Sequence, residues 1–512
     1  MSELSKHTRQ YREMLLADPY RPGYHFAIPD WNGMPGDPNG AFFADGRYHL
    51  MYLYRSEITN SYHWGHISSL DLLHWRSHPD ALTCEDGDEG CFSGGAFVDD
   101  DGTAYLTFWK FPSRQENGDN GGIDIAFSKP PYEKWERIRP LAIEGNSKPW
   151  GTLDITRNGG VEHIGCADPS NIWKRDGWYY LQTGNKCVLD AWGRSEDSEA
   201  RYRGDWTDLF RSRDLHRWEF VHRFYQNPRL GPDWPDETED DMCPSLLPLP
   251  DKASGGKLTD RMLQIFISHN KGGQYYIGKL ENETFLPEQH GRFSWTDNTC
   301  FAPECLVDNK NRHIGWFWLL DNPSGDPDRF GWSGVYGFPR VFWSEEGTLH
   351  MAPAEELDRL QYNPQSFAVN ELQGACPMAI KNGASFRIKA SIRANGAKKI
   401  GFTVREDETS GERTEIYADL QNGTLVMDTT HSGCDGRRTV ERAPFVLRDG
   451  EALEMDIFVD KSVIEVYANH RQAICRRVYP TNVQKAVGVS AVSDGADFGT
   501  VSVWEMMETN LY

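Results

Sequence analysis

The chain has 512 residues, of which 38% are hydrophobic and 12% aromatic, so it is long enough for two large globular domains. Its net charge of −22 argues against nucleic acid and anionic membrane surfaces as partners, because both require a basic patch. The 18 Trp and 21 Tyr residues fit a small-molecule carbohydrate partner, since a flat ring covers the apolar face of a sugar.

The residues after Met1 are polar, and no run of about 18 apolar residues occurs in the chain. We therefore expect a soluble cytoplasmic protein without a signal peptide. The ten Cys residues form no CxxC pair and no dense framework, which predicts reduced thiols and argues against a zinc site. We expect neither a metal nor an organic cofactor.

Residues 1–20 are predicted to form an N-terminal helical extension. Tyr11, Met14 and Leu15 share one face of a helix over residues 5–17, and this helix should end before Asp18-Pro19.

The segment 21–352 shows short strands of period two, separated by Gly, Pro, Asn and Asp clusters, and almost no helix. Five places in it begin with a tight turn and run into a strand, at a spacing of about 55 to 75 residues. We interpret them as the starts of five blades of a β-propeller, in which the first strands surround one central funnel. The five starts are residues 36–39, 92–96, 167–170, 242–245 and 301–304.

Two of these starts contain an Asp-Pro pair. Asp37 lies in the turn Gly36-Asp37-Pro38-Asn39-Gly40, which taken alone most often marks only a hairpin. Asp168-Pro169 repeats the pattern ahead of a later strand. Because the starts converge on the funnel, we predict that the two carboxylates face each other across a sugar-sized hollow.

The sequence changes character after residue 352. Residues 353–370 are predicted to be a short helical linker that Pro364 ends, and residues 371–512 show alternating strands with a strong hairpin turn at Asn422-Gly423. The predicted fold class is therefore all-β, a five-bladed β-propeller followed by a C-terminal β-sandwich.

Motifs spread over nearly the whole chain resemble glycoside hydrolase family 32, the invertase, inulinase and levanase type of β-fructosidase. The resemblance implies a five-bladed propeller followed by a β-sandwich, in agreement with the pattern above. The motifs are Arg21-Pro-Gly-Tyr-His25-Phe, Gly36-Asp37-Pro-Asn-Gly40, Trp64-Gly-His66, Asp71-Leu-Leu-His-Trp75, Phe92-Ser-Gly94, Asp168-Pro169, Gly331-Trp332-Ser-Gly, Phe338-Pro-Arg340 and Phe458-Val-Asp-Lys-Ser-Val-Ile-Glu-Val-Tyr467.

By this resemblance Asp37 matches the nucleophile that attacks the anomeric C2 of a fructosyl unit, and Asp168 matches the transition-state stabiliser. A retaining mechanism also needs a carboxylic acid about 5 to 5.5 Å from the nucleophile. The resemblance further implies that five residues line the fructose pocket, namely Asn39, Trp64, Phe92, Ser93 and Trp332.

The sequence departs from the family pattern at the acid/base. Members of the family carry a Glu immediately before the Cys-Pro that opens the fourth blade, whereas here Met242 precedes Cys243-Pro244. A thioether cannot donate a proton. Glu304 at the fifth start is our preferred replacement, because its position along the strand should point it to the axis. Asp241 is the rival, which a small bulge could aim correctly, and Glu239 and Asp240 are further alternatives.

Two further departures concern neighbours of the motifs. Ala167 stands where the family has an Arg before the second Asp, and Met34 stands where the first motif usually has a Trp.

The sequence thus predicts a glycosidase that cleaves β-fructosides such as sucrose, fructo-oligosaccharides, inulin or levan fragments through a fructosyl-enzyme. One alternative is a fructosyltransferase that forms a difructose anhydride, as levan fructotransferases do. Another is a catalytically silent fructoside-binding protein, which Met242 favours and the two retained Asp residues oppose. A related five-bladed arabinosidase or xylosidase fits the motifs less well.

Overall fold

The structure is a computed structural model that describes residues 3–29, 33–84, 90–113, 118–157, 159–227, 240–321 and 331–510. Strands make up most of the described chain, which confirms the predicted all-β class. The N-terminal helix α1 (Glu3–Ala17) confirms the predicted helix and ends at the expected place before Asp18-Pro19.

Five sheets follow one another along the chain, and their neighbouring strands pair antiparallel and mostly in sequential order. The first sheet contains β1 (Pro38–Ala44), β2 (Arg47–Ser56), β3 (Ser61–Ser69) and β4 (Trp75–Leu82). The second contains β5 (Ala96–Val98), β6 (Ala104–Lys110), β7 (Gly122–Ser128), β8 (Glu136–Arg137) and β9 (Ile143–Glu144), and a separate hairpin of β10 (Thr152–Arg157) and β11 (Gly160–Gly165) follows.

The third sheet contains β12 (Ala167–Pro169), β13 (Trp173–Arg175), β14 (Trp178–Gly184), β15 (Asp205–Ser212) and β16 (Trp218–Asn227). The fourth contains β17 (Met242–Pro250), β18 (Leu258–Ser268), β19 (Gly272–Glu281) and β20 (Thr284–Arg292). The fifth contains β21 (Cys300–Val307), β22 (His313–Leu319), β23 (Arg340–Glu345) and β24 (Thr348–Pro353).

The first strands of the five sheets lie side by side around one centre. Strand β1 contacts both β5 and β21, β12 contacts β6 and β17, and β17 contacts β21, so the fifth sheet returns to the first. Each of the five predicted starts leads into one of these first strands.

Three of these strands share an irregular start. Asp168, Cys243 and Ala302 each precede a Pro, and they adopt left-handed φ angles of 40°, 48° and 41°. The pairing register of their strands shifts at the same places. Such bulges turn a side chain away from the regular strand direction, and they cost energy that the surrounding packing offsets.

Two six-stranded sheets form the C-terminal part and share one hydrophobic core of mainly Ile, Val, Leu and Phe side chains. One sheet has the order β25 (Gln361–Val369), β36 (Gly499–Met506), β27 (Ser385–Ile392), β32 (Leu453–Asp460), β33 (Val463–Ala468), β34 (Gln472–Arg477). The other has the order β26 (Leu372–Pro377), β35 (Gly488–Ala496), β28 (Lys399–Asp407), β29 (Glu412–Asp419), β30 (Thr424–Asp428), β31 (Val440–Pro444).

The connection between the two parts is shorter than the predicted linker 353–370. It consists of the 3₁₀ turn Glu355–Leu360, after which β25 already pairs with β36. Pro364 does not end the segment as expected, because it lies at a register shift between Tyr362 and Gln365, where the strand ladder does not need its missing N–H.

The sequence also missed a helical insertion after β14. It comprises α2 (Lys186–Val188), a π-helical turn at Leu189–Gly193 and a 3₁₀ turn at Ala200–Tyr202. These turns are too short to show a helical hydrophobic period. No helix in the described ranges has an apolar stretch long enough to cross a bilayer.

A buried polar contact ties the arm before β1 to the C-terminal sheets. The carboxylate of Asp460 accepts the backbone N–H groups of Gly23, Tyr24 and His25 at 2.7 to 2.8 Å, and His25 Nδ1 lies 3.0 Å from it. The other ring nitrogen of His25 lies 3.3 Å from Glu465 Oε1. Burial lowers the pKa of His25, but the two carboxylates outweigh it, so the pKa lies above its ordinary value.

We expect Asp460→Asn to destabilise the protein by about 3 to 5 kcal/mol, because it leaves three buried N–H groups and the buried ring of His25 without their carboxylate partner. Chemical denaturation followed by intrinsic Trp fluorescence measures this loss. Asp449→Asn, at an exposed turn, is the matched control and should stay within about 0.5 kcal/mol of the parent. An Asp460→Asn protein as stable as the control would contradict this role.

Candidate active site

Asp37 directly precedes β1, and two hydrogen bonds to its backbone carbonyl hold it in place. Its carbonyl accepts the N–H of Leu53 at 2.9 Å and the Nδ2 amide of Asn39 at 3.0 Å. The Oδ1 atom of Asn39 in turn accepts the N–H of Gly94 at 3.1 Å, which connects the first sheet to the second. The predicted turn is therefore hydrogen-bonded both to β2 of its own sheet and to the segment that leads into the second sheet.

Asp168 lies in the middle of the short strand β12. Ala167 pairs with Gly184 and Pro169 with Thr183, so the register shifts across Asp168. With a φ of 40° the residue is held in a region that non-glycine residues rarely adopt. We attribute the direction of its side chain to this bulge.

The two carboxylates are buried together. Asp37 is 5% exposed and Asp168 is 4% exposed. Ser93 Oγ donates to Asp37 Oδ2 at 2.5 Å, and Cys243 Sγ donates to Asp168 Oδ2 at 3.4 Å. The Oδ1 atom of each carboxylate has no hydrogen-bond partner among the described residues. Two buried acceptor atoms are therefore left for a ligand.

The electrostatic environment gives the two carboxyl groups different pKa values. Burial raises the pKa of Asp37 to about 6, although the Ser93 hydrogen bond and the charge of His269 lower it. Burial and then the charge of Asp37 raise the pKa of Asp168 to about 7, against His269 and Cys243. At neutral pH Asp37 is the more readily ionised of the two, as a nucleophile requires.

The other predicted pocket residues divide into two groups. Asn39 and Ser93 contact Asp37 as described above. Phe92, which precedes Ser93 in the chain, stacks on Phe111 with a centroid distance of 4.9 Å. Trp64 is fully buried, and its indole N–H donates to the Phe92 carbonyl at 3.2 Å. Trp64 therefore contacts the backbone beside Ser93 from the protein interior.

Trp332 is not beside the carboxylates. Its indole N–H donates to Asp18 Oδ2 at 2.7 Å, and the guanidinium of Arg477 lies 5.1 Å from its ring centre. The side chain thus packs between the end of α1 and the C-terminal sheets, which is a structural position.

The structure does not bring Glu304 to the two aspartates. Burial raises the pKa of Glu304 well above its ordinary value, as expected for an acid, but its Oε1 accepts the N–H of Ala41 at 3.0 Å. Neither Asp37 nor Asp168 is among the groups that shift this pKa. Glu304 lies between the first and fifth sheets because it is two residues past the bulge at Ala302.

Asp241 also points away from the pair. Tyr225 Oη donates to its Oδ2 at 2.5 Å, and its N–H donates to Asn185 Oδ1 at 2.8 Å. The carboxylate thus lies between the third and fourth sheets. Met242 is buried in the hydrophobic core at 2% exposure, and Glu239 lies outside the described residues.

Sequence reasoning missed three neighbours of the pair. Cys243 was visible only as part of the Cys-Pro motif. Tyr336 is fully buried, its hydroxyl has no described partner, and the charge of Asp37 contributes to its raised pKa. His269 lowers the pKa of both aspartates. No motif marks Tyr336 or His269, because each reaches the site only through the assembly of distant strands.

The described residues contain no group of three or more His, Cys, Asp or Glu side chains arranged to hold a metal ion. The chemistry available at the site is that of two carboxylates, a hydroxyl, a thiol and an imidazole.

Comparisons with curated proteins give relatives along nearly the whole chain. The sequence is 25% identical to a sucrose-6-phosphate hydrolase of Zymomonas mobilis over 97% of this chain and 94% of the relative. It is 26% identical to the raffinose invertase of Escherichia coli over 94% of each. It is 25% identical to a levanase of Bacillus subtilis over 94% of this chain and 70% of the relative.

Solved structures share the fold. Fructan 1-exohydrolase IIa of Cichorium intybus superposes with a TM-score of 0.78 at 20% identity and covers 96% of this chain and 98% of its own. Sucrose-6-phosphate hydrolase of Lactobacillus gasseri gives 0.75 at 20% identity, with 99% and 97% covered.

Family models match in two consecutive segments that account for most of the chain. Residues 25–353 match the N-terminal domain of glycosyl hydrolases family 32, and residues 356–505 match the C-terminal part of the same family. The chain therefore belongs to glycosyl hydrolase family 32 and is a glycosidase.

Proposed function

We propose that this enzyme hydrolyses β-fructosides by a retaining double displacement, on a five-bladed β-propeller followed by a β-sandwich. The observation that supports this most directly is the pair of buried carboxylates, Asp37 and Asp168, whose free oxygens face no described protein donor. The ring of first strands supports the propeller, and the common core of the two six-stranded sheets supports the sandwich.

The pair divides the chemistry. Asp37 attacks the anomeric C2, its oxygen forms an ester bond to the fructosyl unit, and the bond from C2 to the leaving oxygen breaks. Water then attacks C2 and releases Asp37 as the carboxylate. Asp168 holds fructose hydroxyls while C2 becomes oxocarbenium-like, and its higher pKa suits a group that does not have to attack.

The substrate class follows from the names of the relatives. The names of these relatives give sucrose-6-phosphate, raffinose, levan and fructan as their substrates, and these compounds share a terminal fructosyl unit. We therefore propose a fructosyl-binding pocket next to Asp37, formed with Asn39, Phe92 and Ser93. A catalytically silent fructoside-binding protein is the second candidate, which the loss of a Glu at Met242 favours.

Product analysis tests the proposal. The protein is incubated with sucrose, raffinose and levan in the presence of methanol, and the products are followed by NMR. Retention predicts methyl β-fructofuranoside together with fructose. Methyl α-fructofuranoside would refute the retaining mechanism, and a difructose anhydride would favour the transferase. Calorimetric binding without any product would favour the binding protein.

We expect Asp37→Asn to lower kcat at least about 10⁴-fold, because the amide cannot form the ester to C2. Initial rates on the best substrate measure this. Asp45→Asn is the matched control, since Asp45 is exposed at the turn between β1 and β2 and has a φ of 49°, which Asn tolerates well. Normal turnover by Asp37→Asn would rule out Asp37 as the nucleophile.

Ser93→Ala should move the acidic limb of the profile of kcat/KM against pH upward from its parent position near pH 6. The Ser93 hydroxyl lowers the pKa of Asp37, so its loss raises that pKa, and less of Asp37 is ionised at low pH. The activity loss should therefore be larger at pH 5.5 than at pH 7.5.

A buried serine without a bond to a site carboxylate is the control for this shift. Ser245 donates to Asn171 Oδ1 at 3.4 Å, so Ser245→Ala should leave the limb in place. A limb that stays unmoved or moves to lower pH in Ser93→Ala would disprove the role of the hydroxyl.

A further inference from the structure

In the proposed division of roles Asp37 attacks C2 and Asp168 holds fructose hydroxyls, so the reaction needs a further group as proton donor. When the bond from C2 to the leaving oxygen breaks, the departing alcohol requires a proton, and an acid near its oxygen typically accelerates this step by 10² to 10⁴. Met242, buried in the core, has no proton to give. This requirement rests on the proposed function, because a donor is needed only where a glycosidic bond is cleaved.

Asp240 and His269 form a hydrogen-bonded pair, and the charge of His269 acts on both aspartates. Asp240 accepts the His269 backbone N–H on Oδ1 at 2.8 Å and lies 3.0 Å from Nδ1 through Oδ2. Ser268 Oγ donates to the Asp240 carbonyl at 2.9 Å, and Asn298 Nδ2 donates to the His269 carbonyl at 2.6 Å. The edge of the imidazole also contacts Phe301 at a centroid distance of 5.9 Å.

This pairing determines which ring nitrogen can act. Because Nδ1 faces the Asp240 carboxylate, its proton is held there, and Nε2 is the nitrogen left for exchange. No described residue hydrogen-bonds to Nε2, and the His269 side chain is 47% exposed while the Asp240 side chain is 4% exposed. A buried carboxylate thus holds the ring of a half-exposed histidine, whose Nε2 has no hydrogen-bond partner among the described residues.

The strand register places Asp240 in the fourth sheet at the position that Asp37 has in the first sheet. Asp240 stands three residues before Cys243, and Asp37 stands three residues before Gly40. Cys243 and Gly40 have matching left-handed φ angles of 48° and 53°, and the pairing registers of β17 and β1 shift beside them. Asp240 and Asp37 therefore occupy equivalent positions in the fourth and first sheets.

The charges around His269 favour its protonated form. The protein around the half-exposed ring removes part of its solvation, which lowers the pKa of His269. The hydrogen bond and charge of Asp240 outweigh this effect, the charge of Asp168 adds to the rise, and Lys186 opposes it. Lys186 is itself paired with Asp190 at 2.5 Å. His269 in turn stabilises the ionised forms of Asp37 and Asp168.

From this geometry we propose that His269, oriented by Asp240, is the general acid and base of the reaction in place of the missing Glu. In the first step Nε2–H of the imidazolium gives its proton to the leaving oxygen while Asp37 bonds to C2. In the second step the neutral imidazole takes a proton from the attacking water, the C2–O bond to Asp37 breaks, and the imidazolium and carboxylate are restored. Asp240 orients the ring in both steps and is a positioning residue.

A comparison of leaving groups tests the donor. His269→Ala should lower kcat roughly 10²- to 10⁴-fold on the natural fructoside that the parent cleaves best, but less than about tenfold on 4-nitrophenyl β-fructofuranoside, whose leaving group departs without protonation. His216→Ala, an exposed histidine on the outer turn before β16, should behave like the parent on both. His269→Gln serves as the second variant, and circular dichroism confirms that each protein is folded.

The pH profile tests the orienting residue. Asp240→Asn removes the carboxylate that raises the pKa of His269, so the alkaline limb of kcat/KM should move to lower pH. Equal losses on both substrates in both His269 variants, or an unmoved alkaline limb in Asp240→Asn, would overturn the proposal.

Two further variants decide between donors. A loss confined to the natural substrate in Glu304→Gln or Asp241→Asn would transfer the role to that residue. Failure of the parent to cleave either substrate, or formation of the inverted product, would instead refute the proposed function, and the donor assignment would fall with it.

Discussion

The burial of two carboxyl groups close to each other is the constraint on which the site depends. A carboxylate taken out of water loses several kcal/mol of solvation unless donors or a cation replace the water. Here Ser93 and Cys243 each donate to one carboxylate, and His269 supplies positive charge to both. Asp37, Ser93, Asp168 and Cys243 lie in or shortly before the first strands of the first four sheets, so the site exists only when these sheets are assembled.

The backbone, rather than flexible loops, sets the direction of the side chains in this ring. Asp168, Cys243 and Ala302 each stand at a bulge before a Pro, in a conformation that costs energy for a residue with a Cβ. The same geometry explains Glu304. Two positions past its bulge, the strand is regular again, and the carboxylate reaches across to Ala41 on the neighbouring first strand. A carboxylate in that position joins sheets, whereas one at the bulge faces the centre.

The sequence predicted those features that depend on local chemistry. Gly and Pro marked all five strand starts, the amphipathic period marked α1, and the repeated Asp-Pro pair identified Asp37 and Asp168 as neighbours. Contacts between strands that are distant in the sequence could not be predicted. Asp240 could be named only as one of the acidic residues before Cys243-Pro244, whereas its partner His269 lies 29 positions away and belongs to no motif. The burial of Trp64 and the bond of Trp332 to Asp18 likewise depend on packing.

The C-terminal sheets also affect the site, because they fix the arm that leads to Asp37. Asp460 accepts three consecutive N–H groups of this arm, and further along the arm Ile28 donates to the Gly334 carbonyl at 2.8 Å while Gly33 donates to Ser333 Oγ at 2.8 Å. The arm is therefore held first by β32 and then by the segment beside Tyr336, whose ring lies near Asp37. In the proposed mechanism Asp37 is the nucleophile, and a nucleophile benefits from being positioned before the substrate arrives. We therefore infer that the C-terminal sheets favour catalysis by restricting the chain segment that precedes Asp37.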